Sequence, residues 1–214
     1  MLPPQANFIR KATVCLHSFI SICADSETVG MVIDMAERLY FAYGSNINLE
    51  QMAVRCPAAQ VVGPAVVDGY ELLFRGNRRG TGVATIEPLP GSQVHGLLWK
   101  LTPECERSLD VYEGYPRLYE KENITVRTGD GKDVVVMAYI MTGELWRDPT
   151  IPSPAYYGGI LEGYRQNGLP VPELEAALKN VHDEVRQARH FERMQEMDLF
   201  FGEKPGRKKG HHER

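Results

Sequence analysis

The chain has 214 residues, of which 43% are apolar and 24% are charged, a composition typical of a soluble globular protein with one main domain. The formal net charge of −4 argues against nucleic acid as a partner, because a phosphate-binding surface usually leaves a basic excess. No apolar run is long enough to span a bilayer, which argues against a membrane protein.

The cysteines and histidines give no sign of cross-linking or metal binding. The four cysteines are dispersed without a CxxC pair, which favours reduced thiols and a cytoplasmic location over a disulfide framework. The six histidines are also dispersed, and no cluster has the spacing of metal ligands. We therefore expect no metal.

The first regular pattern along the chain is the aromatic and apolar segment Arg38–Tyr43, which predicts a buried strand. Residues 1–34 show neither a sustained period nor convincing caps, so we treat them as an N-terminal extension that is not part of the native fold. After the strand, a short helix is predicted over Leu49–Arg55 and is stopped by Pro57.

A strand-rich region follows this helix. The stretch Val61–Phe74 holds β-branched residues interrupted by a Gly-Pro and an Asp-Gly pair, which predicts bent strands. Two further strands are predicted over Gly82–Glu87 and Val94–Leu101, separated by a turn at Pro88–Gly91.

The second helix has clear signals at both ends. Thr102 is a good N-cap, Pro103 suits the first helical position, and Gly114 ends the helix after Glu113. A hairpin is then predicted from a strand starting at Tyr119 and running to Arg127, and a second strand over Asp133–Met141.

The last third of the chain is helical. Ser153-Pro154 begins a helix that ends near Gly168, and a heavily charged helix runs from Val171 to about Asp198. Strands in the middle, helices at the end and no alternating βαβ units predict an α+β fold, a small mixed β-barrel with flanking helices. We assign the folded domain to residues 35–181, and a charged helix with a basic tail to residues 182–214.

The sequence Tyr43-Gly44-Ser45-Asn46 stands where the first strand turns into a helix. Gly44 permits a tight turn and close approach of a ligand, and the amides that follow point from a helix N-terminus, where an anion or oxyanion is favoured. Glycine and serine in such a turn also occur as simple turn formers, so this signal alone leaves both interpretations open.

Glu113 is a candidate acid/base residue. It lies in the last helical turn, where the negative end of the helix dipole raises the pKa of a carboxyl group, as burial also would. Such a carboxyl suits proton transfer near neutral pH. The neighbouring Tyr112, Tyr115 and Tyr119 predict an aromatic wall around it, although they would serve equally as core residues. Tyr156, after Pro152-Ser153-Pro154, is either a pocket residue or a packing residue.

Taken together, these motifs resemble the γ-glutamyl cyclotransferase family, which includes the AIG2-like proteins. The similarity covers roughly residues 38–181 and consists of ordered segments. They are Leu39-Tyr-Phe-Ala-Tyr-Gly-Ser-Asn46, Gly82-Val-Ala-Thr-Ile86, Val94-His-Gly-Leu-Leu-Trp-Lys100, Leu109-Asp-Val-Tyr-Glu-Gly114, Tyr139-Ile-Met-Thr142, Pro152-Ser-Pro-x-Tyr156 and Asn167-Gly-Leu-Pro170. Tyr112 departs from the family pattern, in which glutamine is frequent.

The resemblance implies a small β-barrel enzyme that converts a γ-glutamyl amino acid or γ-glutamylamine to 5-oxoproline and a free amine, without a cofactor. It implies Glu113 as the general acid/base, the segment Tyr43 to Asn46 as the substrate loop, and Tyr119 and Tyr156 as substrate-binding residues. We expect a small-molecule substrate and a monomer or homodimer.

Two other interpretations remain at this point. An amidohydrolase releasing glutamate would use Ser45 or Cys105 as nucleophile, but no histidine is placed as its base. A non-catalytic binding protein could share the same barrel, because a fold does not determine a function.

Overall fold

The computed structural model describes residues 37–76, 80–142 and 148–202, with side chains to residue 198. The predicted extension over residues 1–34 lies outside the described residues. The elements in chain order are β1 (Arg38–Ala42), a 3₁₀ turn (Ser45–Ile47), α1 (Leu49–Arg55), β2 (Gln60–Gly76), β3 (Gly82–Leu101), α2 (Pro103–Glu113), β4 (Tyr119–Thr128), β5 (Asp133–Met141), α3 (Pro154–Gln166) and α4 (Val171–Gly202).

The five strands form a closed barrel in the order β1-β3-β2-β4-β5, which confirms the predicted α+β barrel. Neighbouring strands are antiparallel except for β1 and β5, which pair in parallel through Tyr40 and Met137 and close the barrel. Closure removes exposed strand edges, and large side chains such as Phe41, Phe74 and Leu97 are fully buried.

One strand prediction was wrong. The segments Gly82–Glu87 and Val94–Leu101 belong to a single strand, β3, which pairs with β2 along nearly its full length. The predicted turn between them is an irregularity within that strand, where pairing passes from Asp68↔Gln93 to Tyr70↔Pro88. Long-range pairing with β2 therefore overrides a local turn signal of proline and glycine.

The second helix begins and ends where its capping residues predict. The Thr102 hydroxyl accepts a hydrogen bond from the Cys105 amide at 3.3 Å, and Gly114 adopts φ +69° after the last turn. An ion-pair network ties this helix to the barrel, because Lys121 on β4 binds Glu106 at 2.6 Å and Asp110 at 2.7 Å. These ion pairs fix α2 against β4.

Helices α3 and α4 pack on the outside of the barrel. A Cβ atom added at Gly163 of α3 would lie 2.6 Å from Ile47 Cγ1, so only glycine allows α3 to approach the 3₁₀ turn this closely. On α4, Glu184 binds the buried Arg75 of β2 at 2.7 Å. No helix among the described residues is long and apolar enough to cross a membrane.

Candidate active site

The 3₁₀ turn after β1 is held from two sides. The Trp99 indole donates to Asn46 O at 3.1 Å, and the Asn167 amide donates to Ile47 O at 2.9 Å. Ser45 and Asn46 are buried as a result. The hydrogen bonds of the turn begin with the Ile47 amide, which donates to Gly44 O at 3.1 Å. The amides of Ser45 and Asn46 come before this first bond, and amides in that position at the start of a helix have no partner within the helix.

Gly44 is needed for close packing and not for a left-handed backbone. Its φ is −108°, so the tight turn that the sequence predicts does not use a positive φ at this residue. A Cβ atom at this position would lie 3.1 Å from Ala84 Cβ and 3.6 Å from the Tyr156 hydroxyl. A larger side chain at residue 44 would therefore enter the space between β3 and α3.

Glu113 reaches this turn from the end of α2. The Asn46 side-chain amide donates to Glu113 Oε1 at 2.7 Å and, with the same nitrogen, to the Tyr40 hydroxyl at 2.8 Å. Two segments separated by 67 residues in sequence thus meet at one carboxyl group. Burial raises the pKa of Glu113 to about 7, although the Asn46 hydrogen bond and the Arg55 charge both lower it.

A small pocket is lined by Glu113. Among the described residues that line it, Glu113 carries the only carboxyl group. The lining consists of Tyr40, Tyr43, Gly44, Ser45, Asn46, Ala84, Glu113, Tyr119, Tyr139 and Tyr156.

The buried tyrosines of the lining are fixed by hydrogen bonds to the backbone. Tyr43 donates to Tyr139 O, Tyr119 donates to Ala84 O at 2.7 Å, and the Tyr156 hydroxyl accepts from the Ala84 amide at 3.1 Å. Burial raises the pKa of each of these three phenols, so all three stay neutral at physiological pH. They form an uncharged wall of the pocket that Glu113 also lines.

The structure gathers all the residues that the sequence proposed for the site: Tyr43, Gly44, Ser45, Asn46, Glu113, Tyr119 and Tyr156 line one pocket. The predicted aromatic wall is only partly correct. Tyr119 lines the pocket, but Tyr112 and Tyr115 are 46% and 43% exposed and do not. The Tyr112 hydroxyl lies 3.1 Å from Ser45 Oγ, and the centroid of the Tyr115 ring lies 4.8 Å from Lys121 Nζ.

Sequence reasoning missed Tyr40, Tyr139 and Arg55. Tyr40 lies on the first strand, whose aromatic pattern was assigned to the core without separating its inner and outer faces. Arg55 lies in the last turn of α1 and donates to Asn46 Oδ1 at 2.6 Å and to Ser45 Oγ at 3.2 Å. Its role depends on contacts that no local pattern reveals.

The described residues contain no group of three or more histidine, cysteine or acidic side chains arranged to hold a metal ion. Cys56 and Cys105 are buried free thiols, and Cys56 Sγ donates to Cys105 O at 3.4 Å. Neither cysteine lines the pocket.

Known proteins are similar to this chain in both sequence and fold. The family described as γ-glutamyl cyclotransferase, AIG2-like, matches residues 40–158. The human and bovine γ-glutamylcyclotransferases are each 36% identical over 151 residues, which is 67% of this chain and 78% of each relative. A solved γ-glutamyl cyclotransferase is 32% identical with a TM-score of 0.59, covering 66% of this chain and 86% of its own.

A more distant structure, YkqA from Bacillus subtilis, is 21% identical with a TM-score of 0.57, covers 68% of this chain and 54% of its own, and shares the fold. The family match spans more than half of the chain, and it includes the 3₁₀ turn, the end of α2 and the start of α3. The chain therefore belongs to the γ-glutamyl cyclotransferase, AIG2-like family.

Proposed function

We propose that Glu113 is the general acid/base of the γ-glutamyl cyclotransferase reaction that this chain catalyses, and that the turn after β1 holds the γ-glutamyl group. The observation that carries the proposal is that Glu113 is the one carboxyl among the described residues that line the pocket, with a pKa of about 7. A carboxyl of this pKa exchanges protons readily at neutral pH.

The reaction begins with the α-ammonium group of the substrate. Glu113 removes one proton, and the freed amine attacks the γ-carbonyl carbon to form the C–N bond of a five-membered ring. The tetrahedral intermediate then breaks the bond to the original amine, which takes the proton from Glu113. The ring nitrogen, which still carries two hydrogens after the attack, gives one proton to solvent, and the released amine takes one up to become an ammonium ion. The products are 5-oxoproline and a free amine, and the enzyme returns to its starting charge.

Holding the substrate in a folded conformation is a large part of this catalysis. Because nucleophile and electrophile belong to one molecule, a pocket that fixes their orientation removes most of the entropic barrier. The neutral tyrosines provide that shape, and we assign the amides of Ser45 and Asn46, which line the pocket, to either the oxyanion or the α-carboxylate.

The site offers little support for a nucleophilic amidohydrolase. Ser45 Oγ accepts a hydrogen bond from Arg55, which is a permanent donor, and its other partner is the Tyr112 hydroxyl at 3.1 Å. Neither group serves as a base that would activate the serine near neutral pH. Cys105 is buried away from the pocket.

A panel of γ-glutamyl amino acids and γ-glutamylamines tests the proposal, with 5-oxoproline and free glutamate measured in parallel. We expect 5-oxoproline and no glutamate. The matched control is the same compound acetylated on its α-amine, which removes the nucleophile and must stop cyclisation. Release of glutamate, or cleavage of the acetylated compound, would instead indicate hydrolysis.

A further inference from the structure

Arg55 contacts two residues of the substrate loop without lining the pocket itself. Its guanidinium donates to Asn46 Oδ1 at 2.6 Å, to Ser45 Oγ at 3.2 Å and to Gln51 Oε1 at 2.6 Å. Arg55 does not line the pocket, so it acts on the reaction through the residues that it contacts and through its charge, which lowers the pKa of Glu113.

The donor chemistry of Arg55 determines the orientation of the Asn46 side chain. A guanidinium has donors and no acceptor, so the atom of Asn46 that faces it must be the oxygen. The nitrogen then faces the opposite side, where it donates to Glu113 Oε1 and to Tyr40. Among the described residues, Arg55 alone donates to Asn46 Oδ1, so with Arg55 absent the amide would be free to rotate its oxygen towards the carboxyl group.

We propose that Arg55 is a positioning residue that, through Asn46, keeps Glu113 in the form and orientation of a base. Asn46 then occupies Oε1, and among the described residues Oε2 is left to accept the proton of the substrate ammonium. A rotated Asn46 would present an acceptor to Glu113, which favours the protonated acid and removes the base. This inference rests on the proposed role of Glu113.

The side chain of Arg55 is itself held in place. The centroid of the Tyr112 ring lies 3.8 Å from the guanidinium carbon of Arg55, and Gln51 Oε1 accepts a hydrogen bond from the second terminal nitrogen. The stack and the forked donors require a planar guanidinium, so a lysine at this position would keep the charge and lose the geometry.

The other groups that face Glu113 do not titrate in the same range. They are tyrosines whose pKa is raised by burial: Tyr40 of β1, Tyr43 directly after β1, Tyr119 of β4, Tyr139 of β5 and Tyr156 of α3. Arg55 is the only cation among the groups that shift the pKa of Glu113. A change in its pKa on substitution of Arg55 therefore combines the loss of this charge, which Arg55→Lys retains, with the loss of the Asn46 contact, which the Asn46→Ala background removes.

The test is the pH profile of the Arg55→Met variant. We expect its kcat/KM to fall about tenfold or more at pH 6 and less than about threefold at pH 8.5, because the acid limb moves to higher pH. The kcat/KM of Arg55→Lys at pH 6 should lie between the values for Arg55→Met and wild type. The matched control is Arg107→Met, which removes an exposed arginine whose partner is the exposed Glu104. A loss of the same size at every pH would overturn the proposal.

Two further measurements separate this inference from the reaction itself. An NMR titration of the Glu113 carboxyl should show a higher midpoint in Arg55→Met than in wild type or Arg107→Met, and it needs no turnover. In an Asn46→Ala background, Arg55→Met should move the midpoint by less than about half as much, since the two residues act in series. An unchanged midpoint, or equal shifts in both backgrounds, would refute the role of Arg55 even if 5-oxoproline is formed.

Discussion

Replacing Glu113 with glutamine should make the protein more stable at pH 8. The folded pKa of Glu113 is raised from 4.5 to about 7, so the folded state binds its proton more tightly than the unfolded chain does. This proton contributes stability below pH 4.5, and the contribution is lost as the pH rises through 7. At about 1.4 kcal/mol for each pH unit, ionised Glu113 costs the folded state about 3 kcal/mol above pH 7.

Glutamine removes the ionisable group and keeps the acceptor for the Asn46 amide. The free energy of unfolding of Glu113→Gln, relative to wild type, should therefore increase by about 3 kcal/mol between pH 4.5 and pH 8. Urea titrations at both pH values measure this difference. The control is Glu120→Gln on the exposed side of β4, which should change by less than about 0.5 kcal/mol. A difference for Glu113→Gln that is constant across this range would refute the raised pKa.

Three further predictions concern the reaction. The kcat/KM of the wild-type enzyme should rise about tenfold from pH 6 to pH 8, with an apparent pKa of about 7, and a profile already flat at pH 6 would contradict the assigned base. Gly44→Val should prevent binding of 5-oxoproline in calorimetry while circular dichroism shows an intact barrel, because its side chain would meet Ala84 and Tyr156; wild-type affinity would show that the turn is only a connector. Turnover should persist after dialysis against EDTA, and a loss that added zinc or magnesium restores would contradict a metal-free reaction.

The sequence predicted the parts of the site whose signals are local. The limits of α2 follow from Thr102, Pro103 and Gly114, and placing Glu113 in the last helical turn already indicates a raised pKa. In the structure, burial is the main cause of the raised pKa of Glu113, and the helix end only sets where this residue lies. Local capping chemistry thus located the candidate base before any tertiary contact was known.

The remaining features depend on contacts between distant segments. Asn46 and Glu113 are 67 residues apart, and no pattern in either segment specifies that they share a hydrogen bond. The same holds for the orientation of Asn46 by Arg55. Tyr115 was assigned to the aromatic wall because it neighbours Glu113 in sequence, but the chain turns away after Gly114 and leaves its ring beside Lys121.

The most direct test of the account is 5-oxoproline release from γ-glutamyl-alanine by wild type and Glu113→Gln at pH 8. The substitution retains the shape of the pocket and removes the group that accepts the ammonium proton, so turnover should fall about a hundredfold or more. Binding of 5-oxoproline, measured by calorimetry, should persist in the variant and show that the pocket is intact. Turnover by Glu113→Gln within a few-fold of wild type would show that Glu113 is not the base.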